Sequence, residues 1–259
     1  MLCYENGATI LHYHARRQDG SPDNSREANS EIIRRVKKEC DILIHPTLGF
    51  NANDDLPRER IDAIAKLCES SETRPDIVPI APGSVNIECY DSKAKTVANE
   101  HVVYLNSTET IMYAAEVFSK LDLSVQFFCW GVTFVRRGKM LMDLGLLKYP
   151  PYFVFHLTTG AKISCNPPTK LGLDSMLEMM PQNPTSPWAV ACGGGSLIPL
   201  IPYIAQSGGH VCIGLGDYSY DELESPTNAK LVAMTAQIAR ENGREIATLA
   251  QTKEILGIK

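Results

Sequence analysis

Several features that mark special classes of protein are lacking in this 259-residue chain. No apolar run reaches the ~18 residues of a membrane-spanning helix, and the opening residues MLCYENGATI are too short and polar for a signal peptide. Lys and Arg form no basic run and the net charge is -5, which argues against nucleic acid as a partner because phosphate contacts need clustered cations. We therefore expect a cytoplasmic protein with no nucleic-acid or membrane partner.

Paired cysteines are lacking as well. The eight cysteines are scattered, and none forms a Cys-x-x-Cys pair, so we interpret them as reduced, mostly buried thiols. The chain is 44% hydrophobic and 21% charged, and its length suits one domain of the α/β-barrel size. No stretch resembles a linker, and we predict a single barrel domain over residues 1–259.

Short apolar runs alternate with longer amphipathic ones, which predicts strand-helix units around a parallel sheet. Seven strands are predicted, at 8–14, 41–47, 76–82, 124–130, 152–158, 188–194 and 210–217. Helices are predicted at 25–40, 57–71, 107–121, 138–147, 169–180, 196–208 and about 226–255. Ser25 suits the N-cap of the first of these helices.

The first predicted strand ends in a His-x-His pair, within ATILHYH (8–14). Side chains alternate between the faces of a strand, so His12 and His14 point the same way and Tyr13 points the other. Two neutral imidazoles that converge are suitable ligands for zinc or a similar divalent ion. On spacing alone, a pair of hydrogen-bonded histidines at a strand end explains the pattern equally well.

Other polar residues also follow predicted strands, where an α/β barrel carries its functional groups. They are Thr47, Ser84 with Asn86, and Asp217. Each of them alone is explained by a capped loop or a satisfied polar contact, and only their shared placement favours a site.

Six segments together resemble the β-keto acid cleavage enzymes, typified by 3-keto-5-aminohexanoate cleavage enzyme. They are NGATILHYHARRQDGSP, CDILIHPTLGF, APGSVNIE, DLGLLKYPPYFVFHLTTG, MMPQNPTSPWAV and SGGHVCIGLGDYSYDE, in family order over nearly the whole chain. The resemblance implies an α/β fold, an eight-stranded (β/α) barrel of the TIM type, and a homo-oligomer that uses a divalent metal, normally zinc. It also implies condensation of a β-keto acid with acetyl-CoA, which releases acetoacetate and a new acyl-CoA.

The same resemblance implies roles for individual residues. His12 and His14 match the metal-binding pair, and Asp217 matches the base. Ser84 and Asn86 match a polar pair that contacts substrate, and Thr47 with Gly49 lies in the loop that holds the substrate carboxylate.

The chain also departs from the family pattern. Gly216 stands where the family has the glutamate that is its third metal ligand, and Cys212 stands where it has an arginine. Ser124 and Gln126 lie in a strand that carries glutamates in the family. The strand-helix unit that normally precedes YENGATILHYH is shortened or missing here. Either the barrel has only seven strands of its own or the start of the gene product is not represented, and we expect self-association to cover the strand edges that this would expose.

Three interpretations of the function follow. The first is a divergent metal-dependent β-keto acid cleavage enzyme. The second is a catalytically impaired barrel that binds a small molecule, and the third is a different metal-dependent lyase or hydrolase on the same scaffold. His12, His14 and Asp217 favour the first and third, whereas Gly216 and Cys212 favour the second.

Overall fold

A computed structural model describes residues 1–49, 57–147, 151–182 and 186–258 of the chain. Its main feature is a set of parallel strands, each followed by a helix. The strands of this set are β1 (Ile10–Tyr13), β2 (Leu43–Pro46), β3 (Ile77–Ile80), β8 (Ser124–Cys129), β9 (Tyr152–Thr158), β10 (Trp188–Gly193) and β11 (His210–Val211). All seven predicted strands are therefore present, most of them shorter at one or both ends than the sequence indicated.

The parallel strands are arranged in chain order. β1 pairs with β2, and β3, β8, β9, β10 and β11 form a second ladder in that order. Asp76 joins the two ladders, because its backbone N–H donates to the carbonyl of Ile44 (3.0 Å) and its carboxylate accepts from the N–H of Ile44 (2.8 Å). The predicted α/β fold with a parallel sheet is confirmed. The eight-stranded closure of a full barrel is not, since the described residues before Ile10 form a helix and no strand.

Four short strands occupy the region 85–104, where the sequence showed no regular pattern. They are β4 (Val85–Asn86), β5 (Cys89–Asp91), β6 (Thr96–Ala98) and β7 (Val103–Tyr104). β4 pairs with β7 and β5 with β6, both antiparallel. Cys89 forms an isolated bridge to Lys162, so this region contacts the segment that follows β9.

The helices are α1 (Leu2–Glu5), α2 (Arg26–Glu39), α3 (Pro57–Leu67), α4 (Thr108–Lys120), α5 (Val132–Asp143), α6 (Lys170–Leu177), α7 (Ile201–Gln206), α8 (Asn228–Glu241) and α9 (Leu249–Leu256). Short 3-10 turns cover Ile198–Leu200 and Asp221–Leu223. Ser25 caps α2 as predicted, accepting from the N–H of Ala28 (3.2 Å). None of the described helices combines the length and apolarity needed to cross a membrane.

Two helix predictions need correction. α5 begins at Val132, six residues before the predicted start at Gly138. Gly138 lies inside the helix, where a Cβ atom would come within 2.8 Å of Phe127, so it permits close packing on the sheet and does not start the helix. The predicted helical region 226–255 is divided into α8 and α9 because Gly243 adopts a positive φ of +78° after α8.

The two faces of the parallel sheet pack into separate clusters. Phe127, Phe153 and Phe155 face the helices in one of them. The other, called the inner cluster here, holds alternate residues of the strands together with part of α9: Ile10, Leu43, Ile77, Phe128, Tyr152, Val154, Ala189, Ala191, Cys212, Leu249, Leu256 and Ile258. All seven parallel strands, β11 through Cys212 directly after it, thus contribute to one inner face, which α9 covers.

We predict that Leu256→Ala lowers the free energy of unfolding by about 2–5 kcal/mol, because it empties a buried position of the inner cluster. Urea denaturation of the full chain measures the effect. The neighbouring Ile255 is 43% exposed, and Ile255→Ala is expected to change the free energy by less than about 0.5 kcal/mol. Equal losses in the two variants would show that α9 does not depend on this contact.

Candidate active site

The His-x-His pair lies at the carboxyl end of β1, and both residues are only partly exposed, with the Nδ1 side of His12 turned into the protein. In the His12 ring, Nδ1–H donates to the carbonyl oxygen of His45 (3.0 Å). Nε2 of the neutral ring therefore carries the lone pair. Desolvation, with a smaller contribution from His14, lowers the pKa of His12 to about 4. Desolvation, with a contribution from Arg16, also lowers the pKa of His14, so both rings are neutral near pH 7.

The two rings converge as the strand spacing predicts. Nε2 of His12 lies 3.2 Å from Nε2 of His14. Two imidazoles bound to one tetrahedral zinc at about 2.0–2.1 Å have their nitrogens roughly 3.3 Å apart. The separation, the neutral state and the backbone bond that orients His12 all fit a metal ligand pair. No third His, Cys, Asp or Glu joins them in a metal-holding group within the described ranges.

His45 is a third histidine at this place, and no role was predicted for it from the sequence. It lies directly opposite His12 in the β1–β2 register, with ring centroids 4.6 Å apart. It is 3% exposed, and its Nε2 has no hydrogen-bond partner among the described residues. Desolvation holds its pKa well below 6.5, so the imidazole is neutral. A histidine inside the apolar run DILIHPT was the available signal.

Asp217 lies after β11, and its backbone is fixed against the end of β10. The N–H of Gly194 donates to the Asp217 carbonyl (3.1 Å). Desolvation raises the pKa of the Asp217 carboxyl to about 6, while Lys162 acts in the opposite direction. In the loop that follows, the Tyr218 hydroxyl donates to Glu222 (3.0 Å), and no described N–H donates to the Asp217 carboxylate. Among the described residues, the Asp217 carboxylate therefore does not cap this loop.

Thr47 and Gly49 form a tight loop after β2. The Thr47 hydroxyl oxygen accepts from the N–H of Gly49 (3.0 Å), and the Gly49 carbonyl accepts from Arg60 (3.1 Å). Gly49 has φ +79°, and a Cβ atom there would come within 2.1 Å of Asn24. The positive φ and the Asn24 side chain disfavour a side chain at residue 49, and the Thr47 hydroxyl donates to no residue that the structure describes.

Ser84 and Asn86 lie at the start of the antiparallel region and are exposed. The Ser84 hydroxyl accepts from the N–H of Asn106 (2.8 Å) and donates to its carbonyl (3.0 Å). Ser84 thus connects two loops, and its hydroxyl proton is used in the bond to the Asn106 carbonyl. Asn86 pairs with Val103, and its side chain is exposed.

The two substituted positions lie close to Asp217. Cys212 is partly buried in the inner cluster, where desolvation and Asp217 hold its thiol pKa well above 9. Gly216 has nothing within 4 Å of its Cβ position and no positive φ. A side chain at residue 216 therefore has both the space and the backbone conformation that it needs.

His156 and Lys162 are two further polar residues here that the sequence analysis did not select. His156 is 8% exposed on β9, and desolvation lowers its pKa to about 4. Lys162 follows β9 and is exposed. A histidine within the apolar run YFVFHLT was the signal for the first, whereas nothing in the sequence pointed to the second.

A comparison with protein families matches residues 1–258 to the beta-keto acid cleavage enzyme family. The chain belongs to this family. The resemblance found in the sequence, and the prediction of an enzyme of this class, are thereby confirmed. Residues 50, 148–150 and 183–185 of the matching segments lie outside the described residues.

Curated relatives in the family cover nearly the whole chain. The 3-keto-5-aminohexanoate cleavage enzyme of Fusobacterium nucleatum subsp. nucleatum is 26% identical over 260 residues, which are 99% of this chain and 86% of that enzyme. The 3-oxoadipate:acetyl-CoA acetyltransferase of Cupriavidus necator is 21% identical over 257 residues, covering 98% and 83%.

Solved structures agree on the fold. The binary complex of ObcA with oxaloacetate aligns with a TM-score of 0.73 at 12% identity. The alignment covers 99% of this chain, which spans 64% of the length of that protein.

The raised pKa of Asp217 predicts a pH-dependent gain of stability in Asp217→Asn. Because the folded-state pKa of about 6 exceeds the value of 3.8 for a free carboxyl, folding disfavours the ionised form. Ionised Asp217 therefore lowers the free energy of unfolding. This loss of stability is fully present above pH ~6 and disappears below pH ~4. We expect Asp217→Asn to raise the free energy of unfolding by about 2 kcal/mol at pH 8 and by almost nothing at pH 4.

Denaturant titrations at the two pH values measure this gain. The exposed Asp41 supplies a control, since Asp41→Asn should give a small effect at both. A gain in Asp217→Asn that is the same at pH 4 and pH 8 would contradict the prediction.

Proposed function

We propose that this protein condenses a β-keto acid with acetyl-CoA and releases acetoacetate and an acyl-CoA. The observation that carries the proposal is the convergence of His12 and His14, Nε2 to Nε2 at 3.2 Å, in a chain that matches the family over residues 1–258. The relatives named for 3-keto-5-aminohexanoate and 3-oxoadipate support a β-keto acid and an acyl-CoA thioester as the two partners.

In this proposal His12 and His14 hold a divalent metal, for which zinc suits the neutral nitrogen ligands. The His45 carbonyl fixes the ring of His12 with Nε2 free, and His14 supplies the second nitrogen. Such an ion polarises a carbonyl and stabilises a developing enolate. With Gly216 in place of a glutamate, we expect weaker metal binding than at a site with three protein ligands.

Asp217 acts as the base that removes the acidic proton between the keto and carboxylate groups. A carboxyl with a pKa of about 6 is ionised at neutral pH and is a stronger base than an ordinary aspartate. The carbanion attacks the thioester carbonyl of acetyl-CoA and displaces the CoA thiolate. The thiolate then attacks the original keto carbonyl, and the bond from that carbon to the α-carbon breaks to give the acyl-CoA and the acetoacetate carbanion. Asp217 returns its proton to this carbanion, which completes acetoacetate.

The substrate-binding roles assigned by resemblance are part of the same proposal. Thr47 donates its hydroxyl proton to the substrate carboxylate beside the closed turn at Gly49. Asn86 offers an exposed amide. Ser84 positions the loop through its two bonds to Asn106, and its oxygen accepts a further contact.

The second candidate function is a catalytically impaired member that binds a small molecule. Cys212 and Gly216 favour it, because together they remove a cation and a carboxylate from the site. The open space at the Cβ position of Gly216 makes the question testable, since a glutamate can be restored there. A different metal-dependent lyase or hydrolase has no observation of its own in its favour.

We predict that the purified protein binds about one divalent metal ion per chain and that a His12→Ala, His14→Ala double variant loses it. Plasma emission spectrometry after dialysis against zinc measures the content. His101→Ala, at an exposed histidine outside the site, is the matched control. Equal metal content in the double variant and the wild type would contradict the metal assignment.

We predict that Asp217→Asn abolishes acyl-CoA formation from a panel of β-keto acids while the metal content stays unchanged. The amide keeps the shape of the side chain and cannot take up the proton. In the wild type, kcat/KM should rise with pH through about 6 and then level off, since the base must be ionised. A retained rate in Asp217→Asn would exclude this residue as the base.

Variants that restore the residues typical of the family at positions 212 and 216 distinguish between the two candidate functions. Gly216→Glu should tighten metal binding and raise turnover on at least one β-keto acid if the protein is an enzyme. An inactive wild type, together with an inactive Gly216→Glu, Cys212→Arg double variant, would favour the binding protein. Self-association and a cytoplasmic location stay predictions, for which light scattering and fractionation are the measurements.

A further inference from the structure

The segment that carries Lys162 is held at both its base and its tip. At the base, the Thr158 hydroxyl oxygen accepts from the N–H of Cys165 (3.2 Å), and the N–H of Thr158 donates to the carbonyl of Asn166 (3.0 Å). At the tip, the N–H of Tyr90 donates to the carbonyl of Ala161 (2.8 Å). The ammonium group of Lys162 is therefore presented from a fixed backbone.

His156 faces the same place from β9. Its ring packs between Phe128 and Trp130, each with its centroid 4.9 Å from the imidazole. Its Nδ1 is buried and has no hydrogen-bond partner among the described residues. The nitrogen that faces Gly193 is the other one, Nε2, and it forms no hydrogen bond with a described residue, so it can bond to a ligand.

Gly193, at the end of β10, leaves open the space between these two groups. A Cβ atom at residue 193 would lie 3.1 Å from His156 Nε2 and 3.8 Å from Lys162 Nζ. His156 Nε2 and Lys162 Nζ therefore lie within about 7 Å of each other, on the side of β10 where Gly193 presents no side chain. Gly193 has no positive φ, so its backbone conformation does not require glycine.

Asp217 borders this space. The N–H of Gly194 holds the Asp217 backbone, and the Lys162 charge reaches its carboxyl. Among the described residues Lys162 forms no salt bridge, so its charge is available to a ligand. An anion bound here would lie next to the proposed base.

We propose that Lys162, His156 and the space above Gly193 form a subsite for the second carboxylate of a dicarboxylic β-keto acid. The inference rests on the proposed function, in which the Thr47–Gly49 loop takes the carboxylate next to the keto group. Thr47 follows β2 and Lys162 follows β9, three strands away in the sheet order. A diacid that reaches both subsites has its reactive carbon between them, whereas a substrate with a distal ammonium group is repelled by Lys162.

The test compares the binding of 3-oxoadipate with that of its distal monomethyl ester, which keeps the first carboxylate and removes the second charge. Calorimetry on the full chain loaded with zinc, without acetyl-CoA, gives both dissociation constants. We expect the wild type to prefer the diacid by about tenfold or more, as for a charge-assisted hydrogen bond.

Lys162→Met should reduce this preference to about one. The matched control is Lys170→Met, because the Lys170 ammonium lies over the Tyr203 ring (4.9 Å) and should not affect the preference. Gly193→Ala keeps every charge and fills the space, so it should also remove the preference, with circular dichroism as the check on folding.

An unchanged preference in Lys162→Met would overturn the proposal, and so would equal binding of diacid and monoester by the wild type. If Lys162→Met weakens the binding of coenzyme A and leaves the diacid preference intact, Lys162 serves a phosphate and the proposal is wrong. Because no turnover is measured, the subsite can be confirmed even if the chain forms no acyl-CoA, a result that would reject the proposed function alone.

Discussion

The alternation of side chains along the parallel strands is the constraint on which the rest of the structure depends. On β9, Phe153 and Phe155 pack towards the helices while Tyr152, Val154 and His156 point the other way. The same period places His12 and His14 together and separates them from Tyr13. β1 and β9 thus supply apolar residues to the inner cluster near their starts and histidines near their ends, and a shift of one residue would exchange the two faces.

Much of the fold could be predicted because strand and helix periods are local properties. All seven parallel strands and the cap at Ser25 follow from short-range patterns. The start of α5 could not be predicted in this way. A glycine is needed at residue 138 because the helix packs closely on Phe127, and such a tertiary contact leaves no local pattern in the sequence. The antiparallel strand pairs between residues 85 and 104 were not predicted either. Neither of their faces is buried enough to produce an alternation of apolar and polar residues.

The site residues that are close in sequence could be predicted. Those that meet only because two neighbouring strands pair in a particular register could not. His12 and His14 are two residues apart, so strand geometry alone brings them together. His45 reaches His12 through the pairing of two strands, and His156 approaches Lys162 above Gly193 through a third. Glycines at residues 193 and 216 give no chemical signal in a sequence, yet they decide which neighbouring side chains face open space.

The contact between α9 and the start of β1 has a consequence for how this chain is made. The Thr252 hydroxyl donates to Thr9 (3.0 Å), across 243 residues of sequence, and Leu256 completes the inner cluster. During synthesis the strands leave the ribosome before α9 does, so their apolar inner face lacks this cover until α9 has been made. Until then the nascent chain offers an apolar binding surface to chaperones.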